Sequence, residues 1–320
     1  MLIINEETIA KLTDPVELTD VMEQAMLSYA SGNYVMPDRA HMEFDGNTLL
    51  MMPCSCGNYF STKLVSLFPD NANNGHPVLY GTVILNDGAN GKPLAILNGA
   101  KLTAVRTAAV GSVGIRYTSP AETNSLGLIG AGVQGLHQIL FACKNRPIKH
   151  VTVYDSYPDR LHSFITKLKS LLPDVEFVIA RDPVDICDRS EIIITATNAT
   201  FPVLPDDPVF LNGKSFVAIG SYKPDMVEMP DALFPLLDHY FIDVDMAVEE
   251  SGDLIHPLAK GLIKKGQIRL LSDLINGKVL IDRHKTSLYK SVGMALFDLF
   301  AATYLFNKAL QTGIGERIQF

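Results

Sequence analysis

The chain has 320 residues, which is enough for two domains that each bury a hydrophobic core. Hydrophobic residues make up 47% of it and charged residues 19%, a balance that excludes an intrinsically disordered protein. The formal net charge of −8 argues against nucleic acid and anionic membranes as partners, and no apolar run approaches the roughly 20 residues that span a bilayer.

The N-terminal region contains one well-marked helix. Residues 1–7 contain neither a basic segment nor a long apolar run, so we expect no secretion signal and a cytoplasmic protein. Asp14 is in position to cap a helix, Pro15 suits its first turn, and Glu17 completes a capping box. Gly32 is the predicted end of this helix.

Strand patterns follow this first helix. Asp45-Gly46 is a hairpin signal, and residues 59–68, 78–85 and 93–97 are rich in β-forming side chains. Residues 99–117 then predict a helix whose many small residues suit close packing. The first 117 residues therefore predict an α+β domain with antiparallel strands.

From about residue 118 onward, strands and helices alternate, which is the pattern of a parallel sheet. The predicted strands are 125–129, 150–154, 176–179, 192–196, 215–219 and 240–244, and helices begin near residues 133, 158 and 183. The amphipathic segment 291–310 predicts a last helix that returns to the first domain. We therefore predict one domain from residues 1–117 and 291–320, and a second from residues 118–290.

A glycine-rich turn follows the first strand of the alternating region. A buried-strand pattern ends here, a helix pattern follows, and the turn between them reads Gly130-Ala131-Gly132-Val133-Gln134-Gly135. Gly130 permits a tight turn, Gly132 lets a pyrophosphate approach the backbone, and Gly135 lets the helix pack on the strand. The phosphates would lie at the N terminus of the helix. The motif predicts that residues 118–290 form a Rossmann dinucleotide-binding domain in an α/β protein.

The next predicted strand ends in an acidic residue, Asp155, 20 positions after Gly135. An acid at this spacing binds the ribose hydroxyls of the cofactor. Its carboxylate would repel the extra phosphate of NADP, so we predict NAD as the cofactor. The nearby Arg160 could offset that repulsion, which leaves NADP as the alternative.

Two further segments follow predicted strands whose carboxyl ends face the ligand in a Rossmann sheet. They are Thr195-Ala196-Thr197 and Gly220-Ser221. The residues alone leave open whether these segments contact the cofactor or are ordinary loops.

Three cations lie in apolar or β-rich surroundings of the first domain, namely Arg39, Lys63 and Arg106. Burial of a lysine or an arginine is costly unless a counter-charge is present. A substrate carboxylate could be that counter-charge, held by the planar fork of an arginine. The alternative is that each cation is solvated or paired inside the protein.

Cysteine and histidine give no support to a metal site. The cysteines Cys54, Cys56, Cys143 and Cys187 are scattered, and Cys54-Ser55-Cys56 lacks the spacing of a zinc site. We expect four reduced thiols without a catalytic role and no bound metal.

Several motifs together resemble the ornithine cyclodeaminase/mu-crystallin family. In chain order they are Pro37-Asp38-Arg39, Lys63 in its strand, Gly81-Thr82, Leu102-Thr103-Ala104-Val105-Arg106-Thr107, Gly130-Ala131-Gly132-Val133-Gln134, Gly220-Ser221-Tyr222-Lys223-Pro224 and Lys290-Ser291-Val292-Gly293. The resemblance covers essentially the whole chain.

The resemblance implies a Rossmann domain together with an α+β domain that binds the substrate and forms a homodimer. Members of the family act on small amino or imino acids with NAD(P). In this chain, the resemblance implies that Arg39, Lys63 and Arg106 bind the substrate carboxylate, with Lys63 and Arg106 also catalytic. The implied cofactor contacts are Thr107, Gly130, Ala131, Gly132, Val133, Gln134, Asp155, Thr195, Ala196, Thr197, Ser221 and Val292.

One position departs from part of the family. Cyclodeaminases and the archaeal type of alanine dehydrogenase carry an aspartate after the glycine of the late motif, and here Tyr222 occupies that position. The departure favours a reductase of Δ1-pyrroline-2-carboxylate or a related ketimine. Ornithine cyclodeaminase, an alanine dehydrogenase and a non-catalytic NAD(P)-linked binding protein remain the alternatives.

Overall fold

The computed structural model describes residues 1–319, with only the backbone described for Ala72. Cα packing divides the chain into two compact units. The first unit consists of Met1–Arg106 and the chain from Met294 onward, and the second unit is Thr107–Gly293. One boundary therefore lies inside a helix that the sequence analysis assigned wholly to the first domain, and the other follows Gly293 rather than residue 290.

The regular elements follow one another along the chain. Up to residue 118 they are β1 (Leu2–Ile4), α1 (Glu6–Leu12), α2 (Pro15–Ser31), β2 (Ala40–Phe44), β3 (Asn47–Cys56), β4 (Tyr59–Leu67), β5 (Leu79–Asp87), β6 (Pro93–Asn98) and α3 (Gly99–Thr118). The next are β7 (Ser125–Ile129), α4 (Val133–Asn145), β8 (His150–Tyr154), α5 (Leu161–Leu171), β9 (Glu176–Ile179), α6 (Pro183–Arg189), β10 (Ile192–Thr195), α7 (Pro208–Leu211) and β11 (Ser215–Ala218). The last are β12 (Tyr240–Ile242), α8 (Ala247–Glu250), α9 (Gly252–Ala259), β13 (Ile268–Leu270), α10 (Leu271–Ile275), β14 (Ser287–Lys290), α11 (Ala295–Thr312) and β15 (Glu316–Arg317).

The first unit is built on a mixed sheet in the order β15-β1-β6-β5-β4-β3-β2. Strands β2 to β6 are antiparallel, as predicted, whereas β1 was not predicted and lies parallel to β6. Asp45 and Gly46 turn β2 into β3 with positive φ values of 47° and 75°, which confirms the hairpin signal. Helix α11 packs on β3, β4 and β5 and on α2.

Helix α2 begins at the predicted cap. Asp14 accepts hydrogen bonds from two amides of the first turn at 2.8 and 3.0 Å, and Gly32 ends the helix with a φ of 74°. The predicted capping box is wrong for Glu17, because its carboxylate accepts hydrogen bonds from Tyr304 and Lys308 on α11 instead. A tertiary contact thus replaces the local one.

The predicted start of the last helix at Ser291 is also wrong, since α11 begins at Ala295. Gly293 adopts a left-handed φ of 76° and Met294 is extended, so the apolar pattern runs back into a segment that is not helical. Among residues 1–319, no helix is long and apolar enough to cross a membrane.

The second unit is built on a parallel sheet in the order β13-β12-β14-β11-β10-β7-β8-β9. The run β9-β8-β7-β10-β11 has the 3-2-1-4-5 order of a Rossmann sheet. Strands β13 and β14 were not predicted. The sheet confirms the α/β class, and its order reverses between β7 and β10, where Ile129 pairs with Thr195 at the carboxyl ends. Ligands bind at such switch points.

Candidate active site

Lys63 is a buried lysine in the sheet of the first unit. Alternation along β4 places Ser61, Lys63 and Val65 on its buried face. Lys63 pairs in register with Met52 on β3 and Val83 on β5, which are both buried. Because Lys63 is only 3% exposed, its ammonium group has almost no access to water and requires a counter-charge.

Asp298 on α11 supplies that counter-charge and was missed by the sequence analysis. Its Oδ2 lies 2.6 Å from Lys63 Nζ, and its Oδ1 accepts a hydrogen bond of 3.0 Å from Arg106 Nε. One carboxylate thus serves two cations, which leaves the cluster with a net positive charge. The signal that could have revealed Asp298 is an acid within the apolar stripe that continues through Ala301 and Leu305.

The surroundings of Lys63 also alter its affinity for a proton. Burial lowers the pKa of Lys63 most, Asp298 raises it, and the nearby positive charges of Arg106 and Arg39 lower it, so that together they bring the pKa to about 8. Arg39, which is half-buried, is therefore close enough to act on Lys63 electrostatically. A lysine with such a pKa can donate or accept a proton near neutral pH, and the net positive charge can attract a carboxylate.

The three glycines of the predicted phosphate turn lie in different surroundings within the second unit. Gly130 has a φ of 108°, and a Cβ there would lie 2.6 Å from the carbonyl oxygen of Ala196. A Cβ on Gly135 would lie 2.1 Å from the oxygen of Gly130, so helix and strand pack too closely for any other residue. Gly132 has no atom within 4 Å of such a Cβ, which leaves its backbone open to approach.

The N-terminal end of α4 fits a phosphate group. No side chain caps the helix at Gly132, and its first amides have no acceptor inside the helix. Val133 is 66% exposed, and Gln134 has a buried Oε1 without a hydrogen-bond partner among the described residues. Free amides and the positive end of the helix dipole form a site for an anion.

Asp155 lies beside this turn. Its Oδ2 accepts a hydrogen bond of 2.7 Å from the Ala131 amide, and its Oδ1 accepts one of 2.8 Å from the Tyr157 amide. Each oxygen keeps a second lone pair that a ribose hydroxyl can use. The guanidinium group of Arg160 stacks on the exposed ring of Tyr157, 4.6 Å from its centroid.

The two segments at the ends of β10 and β11 share one buried partner that the sequence analysis missed. Thr195, Thr197 and Ser221 all donate hydrogen bonds to the carboxylate of Glu228. Ala196 lies between the two threonines, and its carbonyl faces Gly130. The structure therefore brings these predicted residues together with the glycine turn.

The remaining predicted cofactor residues are held by other polar side chains. The Val292 amide lies 3.4 Å from Oδ1 of the buried Asp243, whose Oδ2 accepts a hydrogen bond of 2.8 Å from the next amide. The carbonyl of Thr107 accepts a hydrogen bond of 3.0 Å from Gln138 Nε2. Asp243 was also missed, because the pattern of the predicted strand 240–244 gives no indication that an acid at its end is buried.

Tyr222, at the position where cyclodeaminases carry aspartate, is 46% exposed. The ammonium group of Lys223 lies 5.9 Å from the centroid of its ring. Asp225 is exposed as well. The segment thus exposes a phenol and not a carboxylate at this position.

The family model of the ornithine cyclodeaminase/mu-crystallin family matches residues 2–313. The chain belongs to this family. The resemblance in the sequence motifs is confirmed, and the match extends over nearly the whole chain.

Individual members of the ornithine cyclodeaminase/mu-crystallin family align over most of this chain. Delta(1)-pyrroline-2-carboxylate reductase of Bacillus cereus is 30% identical, with 100% of both chains covered. Ketimine reductase mu-crystallin of Rattus norvegicus is 28% identical over 85% of this chain and 83% of its own. The structure of Thermococcus litoralis Delta(1)-pyrroline-2-carboxylate reductase in complex with NADH and L-proline has a TM-score of 0.91 at 29% identity, covering 99% of this chain and 100% of that one.

Proposed function

We propose that this family member is an NAD(P)H-dependent reductase of a small cyclic imino acid, a ketimine of the Δ1-pyrroline-2-carboxylate type. The observation that carries the proposal is that the buried side chains of Lys63 and Arg106 share the carboxylate of Asp298. This cluster combines a proton donor with a carboxylate-binding guanidinium group. The names of the relatives from Bacillus cereus, Rattus norvegicus and Thermococcus litoralis support it.

The proposed cofactor is NADH, which supplies a hydride from its nicotinamide ring when bound. The open backbone at Gly132 and the uncapped start of α4 support binding of the pyrophosphate. The free lone pairs of Asp155 support NAD over NADP. The residues proposed to contact the cofactor are Thr107, Gly130, Ala131, Gly132, Val133, Gln134, Asp155, Thr195, Ala196, Thr197, Ser221 and Val292.

The cations of the first unit have separate proposed tasks. Arg106 and Arg39 hold the substrate carboxylate and so fix the orientation of the C=N bond. Lys63 donates its proton to the imine nitrogen, and the imine carbon accepts the hydride. The products are the cyclic amino acid and the oxidised cofactor, and the neutral Lys63 regains a proton from solvent. A pKa of about 8 allows Lys63 to make this transfer near neutral pH.

A panel of substrates tests the proposal through the loss of NADH absorbance. We expect oxidation of NADH with pyrroline or piperideine carboxylate and none with pyruvate plus ammonia. Turnover of pyruvate with ammonia would instead identify an alanine dehydrogenase. Release of ammonia from ornithine without net change in NADH would identify a cyclodeaminase. Tight NAD binding without turnover on any of these compounds would identify a non-catalytic binding protein.

We also propose that the chain forms a homodimer through the second face of the sheet of the first unit. The register places Met51 beside Leu64, and Ile84 beside Ile96, on the face opposite the buried Lys63. These four apolar side chains are only half-buried. An antiparallel sheet that faces water normally carries polar residues there, so an apolar face is typical of an interface.

Light scattering after gel filtration tests the dimer. The wild-type chain should have twice the mass of a monomer, and Leu64→Lys should have the mass of a monomer because it places a charge on this face. Ser170→Lys, on an exposed part of α5, is the matched control and should remain a dimer. A monomeric wild-type chain would contradict the proposal.

A further inference from the structure

Three ionisable side chains are fully buried beneath the carboxyl edge of the parallel sheet. Glu228 and Lys290 are 0% exposed and Asp253 is 1% exposed. We call these three residues the buried charged cluster. In the described part of the chain, Lys290 Nζ lies 3.2 Å from Asp253 Oδ2, and Asp253 Oδ1 accepts hydrogen bonds of 2.7 and 2.9 Å from the amides of Glu228 and Met229.

One member of the cluster, Lys290, lies in register with Thr195 and Ala218 at the carboxyl ends of three neighbouring strands. Thr195 ends β10 and pairs in register with Ala218 on β11, which in turn pairs with Lys290 at the end of β14. The segments at the carboxyl ends of β10 and β11 are the two predicted cofactor segments, Thr195–Thr197 and Gly220–Ser221. The buried charged cluster therefore lies where it can connect them.

Glu228 makes that connection directly. Its Oε1 accepts hydrogen bonds from the Thr197 amide at 2.7 Å and the Thr197 hydroxyl at 2.8 Å. Its Oε2 accepts hydrogen bonds from the Thr195 hydroxyl at 2.9 Å, the Gly220 amide at 2.8 Å and the Ser221 amide at 3.3 Å. One side chain thus holds both loops at once.

The packing between the loops leaves little freedom. A Cβ on Gly220 would lie 2.4 Å from Glu228 Oε1 and 2.1 Å from the Thr197 oxygen. The second loop is fixed further by the Ser221 hydroxyl, which donates to the Met226 oxygen at 2.6 Å. The spacing between the two loops therefore depends on the side chain that lies between them.

The chemistry of the site requires a carboxylate rather than an amide. Both oxygens of Glu228 face backbone N–H groups, Thr197 on one side and Gly220 with Ser221 on the other. A glutamine would direct its NH2 group at one of these donors in either orientation. A buried N–H group that faces another donor loses its hydrogen bond, and the free-energy cost of removing that group from water is then not compensated.

We propose that Glu228 is a positioning residue that sets the spacing of the loops Thr195–Thr197 and Gly220–Ser221, and through them the surface that receives the cofactor. This inference rests on the proposed function, because it treats the two loops as cofactor contacts. Glu228 acts through the loops and has no proposed contact with the substrate.

Titration of NADH fluorescence, together with steady-state kinetics and thermal melting, tests the inference. Glu228→Gln should raise the Kd and the KM for NADH about tenfold or more, and leave the KM for the imino acid within about twofold. Thr195→Val, which removes one hydroxyl donor and keeps the shape, should raise the Kd for NADH about threefold.

Leu168→Ala is the control for a merely structural effect. Leu168 is fully buried in α5, so its truncation should lower the Tm by creating a cavity while NADH binds within about twofold of wild type. The inference is overturned if Glu228→Gln binds NADH as the wild type does, or if Leu168→Ala weakens NADH binding as much at an equal loss of Tm.

Two further outcomes are also decisive. If Glu228→Gln does not fold, Thr195→Val decides, and an unchanged Kd for NADH in that variant overturns the inference. If the wild-type chain itself does not bind NADH, the proposed function fails and the inference falls with it. Normal binding by both wild type and Glu228→Gln overturns the inference alone.

Discussion

Lys63 Nζ and Asp298 Oδ2 lie 2.6 Å apart inside the first unit, where the two side chains are 4% and 1% exposed. The ion pair is asymmetric, because Arg106 binds the other oxygen of the same carboxylate. Asp298 therefore neutralises only one of two buried cations. The excess positive charge is available to an anion, and loss of the pair would destabilise the unit and lower the proton affinity of Lys63.

Replacing Asp298 with asparagine should strongly destabilise the protein. The change keeps the size of the side chain but leaves Lys63 and Arg106 buried without a counter-charge, which costs about 3–5 kcal/mol for a buried pair. Urea denaturation of Asp298→Asn would measure the loss in the free energy of unfolding. The double variant Asp298→Asn/Lys63→Met should lose less free energy of unfolding than the sum of the losses in the two single variants. The reason is that only one buried cation, Arg106, then lacks a counter-charge, whereas Asp298→Asn alone leaves two. Strict additivity would contradict the coupling.

The pH dependence of activity should report the pKa of Lys63. Since burial lowers this pKa to about 8, Lys63 carries its proton below that pH and loses it above. The kcat/KM for imine reduction should therefore be level on the acid side and fall about tenfold per pH unit on the alkaline side. Oxidation of the cyclic amino acid needs a base and should show the opposite limb. In Asp298→Asn the limb should move to lower pH, because Asp298 raises the pKa of Lys63.

Lys63→Met should separate chemistry from cofactor binding. The variant removes the proton donor and leaves Asp298 paired with Arg106, so kcat should fall about 10²- to 10⁴-fold while the Kd for NADH stays within about twofold. Lys11→Met removes an exposed lysine of α1 and is the matched control, with unchanged kcat. Normal turnover by Lys63→Met on the true substrate would show that its assigned role is wrong.

Asp155→Asn should shift the choice of cofactor. Asparagine can accept only one of the two backbone hydrogen bonds that Asp155 accepts, and it no longer repels the extra phosphate of NADPH. The ratio of kcat/KM for NADPH to kcat/KM for NADH should rise about tenfold, through a gain with NADPH and a loss with NADH. Asp159→Asn changes an exposed carboxylate nearby and should leave the ratio unaltered. An unchanged ratio in Asp155→Asn would mean that its charge does not select the cofactor.

Local signals in the sequence predicted much of the fold. Asp14 caps α2 and Asp45-Gly46 turns a hairpin because both depend on residues that are neighbours in the chain. The glycine turn and the α4 that follows it were predicted for the same reason, since their spacing reflects local backbone geometry. The short strand β14 was not predicted, because four residues carry too little periodicity to distinguish a strand from a loop.

The partners of the site residues could not be predicted in this way. Arg106 on α3 and Asp298 on α11 are separated by 192 positions, and only the tertiary fold of the first unit brings them together. Glu228 stands in a short segment between apolar residues, where an acid usually faces solvent, and its burial depends on two loops from other strands. Sequence patterns identify groups with special chemistry, whereas the counter-charge of each group is a property of the tertiary fold.

The division of the first unit between the two ends of the chain has a consequence for biosynthesis. Lys63 and Arg106 emerge from the ribosome well before Asp298 does. Both cations therefore remain hydrated in the nascent chain, because their counter-charge is not yet present. The contiguous segment Thr107–Gly293 is fully translated earlier and can fold first. Docking of α11 is therefore the late step that completes the surroundings of the proposed proton donor, and it can occur only after Thr107–Gly293 has been translated.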